Sequence, residues 1–175
     1  MKKIYNQIIE NFNGNTGLEI NNVNDSDFLN KPVFILSLPR VGSTFLQQIL
    51  LSFSDIGYIS NLLASFWNNP EIGAALHKKF YDKSYVSNFK SSYGNTFGVY
   101  EPHEWGFFWR KWLDISDDDI YFNPKSNVNW INLRKEILII EKILNKPLFF
   151  NTPYANNYFK EINSNLTNSK VIFLF

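Results

Sequence analysis

Arg40, Gly42, Ser43 and Thr44 stand close together in the chain, and these residue types are the ones that hold an oxyanion. Arginine offers a planar fork of N–H donors, and the two hydroxyls add more. Glycine lets backbone amides turn toward a ligand. Further on, Glu101, His103 and Glu104 crowd one short stretch. An imidazole between two carboxylates can be poised near neutral pH to move a proton. Each group also has a plainer reading. The first can be a strand-to-helix turn with one exposed arginine. The second can be the ordinary start of a helix, where Pro102 and acids are expected anyway.

The elements around the first group favour the anion-holding reading. Val33, Phe34, Ile35 and Leu36 form an unbroken apolar run that predicts a strand buried on both faces. Pro39 and Gly42 punctuate a tight turn. From Thr44 the spacing becomes helical, with Phe45, Leu46, Ile49, Leu50 and Phe53 on one side and Gln47 and Gln48 between them. Strand, glycine turn and helix together make an anion-binding layout, because free N–H groups and the helix dipole meet at the turn. The turn is not a Walker A loop, which requires Gly-Lys-Ser/Thr after four intervening residues. Here an arginine precedes the glycine and no lysine follows it.

A chain of 175 residues is the length of one domain, and at 45% hydrophobic it can bury a sizeable core. The net charge of +1 argues against binding nucleic acid through overall charge, while leaving room for a local site for one small anion. With no cysteine, disulfides, thiolate metal sites and cysteine nucleophiles are excluded, and a cytoplasmic setting is expected. No apolar run is long enough to span a membrane.

Residues 1–30 read as an amphipathic helix followed by a polar, asparagine-rich connection, and residues 31–175 as an α/β domain. Ser60 or Asn61 caps a helix carrying Leu62, Leu63, Phe66 and Trp67. Asn69 and Pro70 start another, lined by Ile72, Ala75, Leu76 and Phe80, with His77 on a solvated face near its end. Residues 81–99 read as a surface or lid loop. Trp105, Phe108, Trp109, Trp112 and Leu113 form an aromatic stripe at helical spacing, expected in the core. Asp117, Asp118 and Asp119 lack the spacing of a calcium loop and read as solvated. A helix follows with Leu133, Ile137, Ile140 and Leu144 inward and Glu141 outward. Then come a strand at 148–150 and a helix with Ala155, Tyr158, Phe159, Ile162 and Leu166 inward. Asn168 and Ser169 turn the chain into a final apolar strand from Lys170. Strands alternating with helices predict a three-layer α/β fold with a short, mostly parallel sheet.

Four landmarks in order carry a family resemblance. They are Pro39-Arg40-Val41-Gly42-Ser43-Thr44, the helix start from Ser60 to Trp67, Glu101-Pro102-His103-Glu104-Trp105-Gly106, and Lys146-Pro147-Leu148-Phe149-Phe150-Asn151-Thr152-Pro153 before the last strand. The first resembles the 5′-phosphosulfate loop of the PAPS-dependent sulfotransferases, often Pro-Arg-Ser-Gly-Thr-Thr. Together the four resemble a bacterial member of that broad family across residues 31–175. The resemblance implies a P-loop-like fold and transfer of a sulfuryl group from PAPS to an acceptor hydroxyl or amine, with no metal. It implies donor binding by Arg40, Val41, Gly42, Ser43 and Thr44, and a base among His103, Glu104 and Glu101, the first two ranked ahead. Two departures stand out. Asn151 and Thr152 occupy the place where relatives often carry a lysine. The sequence also ends at Phe175, before the segment that binds the 3′-phosphate in relatives, so it reads as a truncated domain with an open sheet edge. Two other readings follow: a non-catalytic remnant that binds a phosphate-like anion or a complementing chain through that edge, and a P-loop kinase, disfavoured by the missing lysine and by the lack of a clear Walker B acid.

Overall fold

A computed structural model describes Glu10 and residues 30–81, 85–115, 127–166 and 169–175. The expected N-terminal helix and the Asp117-Asp118-Asp119 run lie outside these residues, as does Asn168 of the last turn. From residue 30 on, the elements among the described residues are, in order, β1 Val33–Ser37, α1 Ser43–Phe53, β2 Gly57–Tyr58, α2 Asn61–Ala64, α3 Pro70–Phe80, β3 Ser91–Ser92, β4 Asn95–Thr96, α4 Gly106–Leu113, α5 Trp130–Leu144, β5 Leu148–Asn151, a 3-10 turn Pro153–Tyr158, α6 Phe159–Asn165 and β6 Lys170–Leu174.

The main sheet has four parallel strands in the order β2-β5-β1-β6. Parallel strands joined by helices are the expected α/β arrangement. Phe34 sits beside Phe150 and Val171 across the central strands. The Phe34 and Phe150 rings stack at 5.1 Å, and the edge of Trp109 meets both. The aromatic stripe is core as expected: Trp105, Phe108, Trp109 and Leu113 are buried with Leu133, Ile137, Ile140 and Leu144 of α5. Ala155, Tyr158, Ile162 and Leu166 close the same core, although the segment starts as a 3-10 turn. Burying three large aromatic or aliphatic side chains from one two-turn helix, with that of its N-cap Trp105, is worth several kcal/mol, at about 2 kcal/mol each. That helix therefore fixes the segment just before it.

Four expectations need correction. On α1, Phe45 is 55% exposed and Phe53 83%, while Gln47 and Gln48 are the buried residues. Apolar spacing therefore does not select the inner face of this helix. A buried polar contact did so instead. His77 is buried, not solvated: Ser60 Oγ lies 2.8 Å from its Nδ1, and it stacks on Tyr81. Glu141 is also buried, and its carboxylate accepts the N–H of Asn30 just ahead of β1. Finally, the loop after Tyr81 contains a hairpin, with Ser91 opposite Thr96 and Ser92 opposite Asn95. Tyr93 (φ 55°) and Gly94 (φ 83°) make its two-residue tip, and two positive φ values are what a type I′ turn requires.

Strand β6 runs along the outside of β1, and Ile172, Phe173 and Phe175 beside it are exposed. Among the described residues, no helix is long and apolar enough to cross a membrane.

Helix propensity favours alanine over glycine inside α3, but Gly73 is pressed against α2. A Cβ there would lie 2.7 Å from the Leu63 carbonyl oxygen and 3.1 Å from Leu63 Cα. Gly73→Ala should therefore cost about 1–3 kcal/mol, read as a shift in the denaturation midpoint. A more stable variant would show that α2 and α3 are not this close.

Candidate functional site

The turn after β1 bends through two left-handed residues, Arg40 (φ 71°) and Gly42 (φ 87°). Gly42 is the N-cap of α1, and its carbonyl accepts the N–H of Leu46 in the first helical bond. No side chain caps the helix. Helix geometry points the N–H groups of Ser43, Thr44 and Phe45 back out of the first turn, where they lack intrahelical partners. Those residues line a cavity of about 480 Å³, together with Ser37, Leu38, Arg40, Tyr93, Gly94, Glu104 and Pro153. Arg40 is its only cationic lining residue among those described. Val41 belongs to the same turn without lining the cavity. The cavity lies beyond the C-terminal ends of β1 and β5, from which the chain leaves into α1 and into the 3-10 turn, the usual crevice of an open parallel sheet.

The hairpin contributes Ser91, Tyr93 and Gly94 to the cavity wall. The Arg40 guanidinium carbon lies 4.1 Å from the centre of the Tyr93 ring. Asn61 Nδ2 donates to Gly98 O at 2.7 Å and also contacts Thr96, while Thr96 Oγ1 donates to Pro102 O at 2.7 Å. The hairpin is thus tied to the strand-like passage that carries the acid/base residues. That passage is pinned in turn to β2 and α2: Asn61 N donates to Glu101 O, and His103 N to Ile59 O.

The three acid/base candidates part company here. Glu101 is fully buried and lines neither this cavity nor its neighbour. Its carboxylate accepts from Gln48 Nε2 at 2.8 Å, from Ser87 Oγ, from Asn88 N at 2.7 Å and from the Tyr85 hydroxyl. With so many donors it acts as an anchor. His103 and Glu104 line a smaller cavity of about 230 Å³, with Gly94, Asn95, Gly106, Phe107, Arg110 and Tyr154. His103 Nδ1 accepts the N–H of Trp105 at 2.7 Å, and burial lowers its pKa. The neutral ring then carries its proton on Nε2, so it offers a donor rather than a free basic nitrogen. Glu104 lines both cavities, and burial pushes its carboxyl up to about 7. Trp105, next in the chain, is a buried residue at φ 58° that caps α4. A bulky residue held there is strained, and the packed aromatic core enforces it.

Asn151 and Thr152 are buried. Both amide atoms of Asn151 and the hydroxyl of Thr152 lack a protein partner among the described residues. Sequence reasoning missed Tyr93 and Gly94, although the Tyr-Gly-Asn stretch between polar residues could have signalled a tight turn. Among the described residues, no three carboxylate or imidazole groups cluster as metal ligands. Comparison with family models, with curated proteins and with solved structures gives no match.

Two predictions separate Glu101 from Glu104. Glu101→Ala strands several buried donors and should cost about 3 kcal/mol or more, read by chemical denaturation. A neutral result would deny the anchor. For Glu104, the folded pKa of about 7 lies above the ordinary value of 4.5, so the fold disfavours the ionised form. Its contribution is unchanged while both states are protonated, worsens as pH rises from 4.5 to about 7, and then levels off. Glu104→Gln should remove that part of the decline; identical pH–stability curves for the two proteins would refute it.

Proposed function

We propose that this chain is a P-loop-like domain of sulfotransferase type, which holds the 5′-phosphosulfate of PAPS at its first turn. The observation that carries this reading is an uncapped helix start, flanked by an arginine, opening on a cavity that is also lined by a carboxylate titrating near neutrality. Arg40 would grip the sulfonated phosphate through its fork, and Gly42, Ser43 and Thr44 would add backbone and hydroxyl donors. The acceptor oxygen or nitrogen attacks sulfur. The bond from sulfur to the bridging phosphate oxygen breaks, and that oxygen leaves with the electron pair as part of 3′-phosphoadenosine 5′-phosphate. The acceptor proton passes to Glu104, placed between the donor cavity and the smaller one, while His103 Nε2–H orients the acceptor. The chemistry needs no metal. A cytoplasmic setting, where PAPS is at hand, fits the cysteine-free composition.

One observation favours a second reading, an anion-binding domain without turnover. Among the described residues Arg40 stands as the single cation lining the larger cavity, and Asn151 and Thr152 bring no charge to it. In that reading the exposed edge of β6 would receive a complementing strand or a second copy.

Calorimetry with 3′-phosphoadenosine 5′-phosphate tests the shared premise. Arg40→Ala should weaken binding by more than about tenfold while the protein stays folded. Unchanged affinity would remove the anion site. Turnover with PAPS and mixed phenol, alcohol and amine acceptors then separates the two readings, and Glu104→Gln should lower it by about 100-fold or more.

A further inference from the structure

The hairpin tip touches both halves of the proposed site. Tyr93 lies against Arg40, and the residue is 80% exposed, so core packing does not explain its position. A ring on the flat face of a guanidinium leaves the N–H donors at its edge free, and holds the plane in one orientation. Gly94, the next residue, lies against Glu104: a Cβ at this glycine would come within 2.9 Å of Glu104 Oε1 and 3.4 Å of its Cδ. Gly94 is also common to the walls of both cavities. A type I′ turn is a stiff unit, and this one is held at its base by Asn61 and Thr96. Arg40 and Glu104 come from separate elements, the turn after β1 and the lead into α4. The turn therefore bridges them.

Resting on the reading of the larger cavity as an anion site, we infer that Tyr93 and Gly94 are positioning residues: one rigid hairpin tip sets the Arg40 guanidinium and the Glu104 carboxylate relative to each other. Tyr93 supplies an aromatic face and Gly94 supplies room. The role of Tyr93 calls for a ring but not its hydroxyl. The role of Gly94 calls for the missing Cβ, separately from its left-handed backbone.

The full chain and three variants test this, with 3′-phosphoadenosine 5′-phosphate as the probe for the anion arm and the NMR titration of Glu104 for the carboxylate arm. Tyr93→Ala should weaken the probe about three- to fivefold, and Tyr93→Phe should restore it. Gly94→Asn keeps a residue that tolerates left-handed backbone but adds the Cβ. It should move the Glu104 midpoint toward the ordinary carboxylate range, because the displaced carboxylate gains water. Wild-type affinity in Tyr93→Ala, or an unmoved Glu104 midpoint in Gly94→Asn, overturns the inference while the anion site stands. If the wild-type chain does not bind the probe at all, the anion site itself falls, and the role given to Tyr93 falls with it. Retention of the wild-type amide spectrum away from the tip confirms that each variant is folded.

Discussion

A carboxylate buried without solvent is tolerated only where donors surround it, and the arrangement of this protein turns on one such group. Glu101 gathers the amide of Gln48 from α1 and the donors of Tyr85, Ser87 and Asn88 from the approach to the hairpin. The helix that begins at the turn after β1, the approach to the hairpin and the passage that carries His103 and Glu104 therefore meet at one carboxylate. Burying that charge unpaired would cost several kcal/mol, so its donors are under strong constraint. The same constraint explains why α1 turns a glutamine inward and leaves phenylalanines outside.

Around this anchor, backbone conformations that most residues avoid cluster at the cavities. Arg40, Tyr93 and Trp105 all have positive φ, and all line or flank them. Each is held by something stronger than its local preference. Arg40 follows from the turn into α1. Tyr93 follows from the hairpin. Trp105 is clamped by its parallel stack on Phe108, with ring centres 3.6 Å apart. Strain concentrated at a cleft and secured by a packed core is the arrangement expected where side chains must be aimed.

Much of the fold could be read from periodicity. β1, the aromatic stripe of α4 and the inner face of α5 all follow patterns whose buried members are apolar, and apolar spacing reports them directly. What could not be read were the buried polar groups: Gln48, His77, Glu101 and Glu141 each have the composition of a surface residue. Their burial depends on partners far away in sequence, which no local window contains. The turn between β1 and α1 was legible because its parts are contiguous. The division of labour among Glu101, His103 and Glu104 was not, since it depends on which carboxylate meets α1 and which meets a cavity. The hairpin tip escaped notice because a two-residue turn with minimal strands leaves almost no alternation to detect.

Glu104 walls both cavities, and its carboxyl gains its proton near neutrality. Negative charge arriving at the turn after β1 makes the ionised carboxylate still less favourable. Occupancy and protonation are then thermodynamically linked, each strengthening the other. Under the proposed function, an anion docking there near pH 7 would carry a fraction of a proton in with it. The apparent heat of docking consequently changes with the ionisation enthalpy of the surrounding buffer, a signature that a distant, already-titrated carboxylate would not leave.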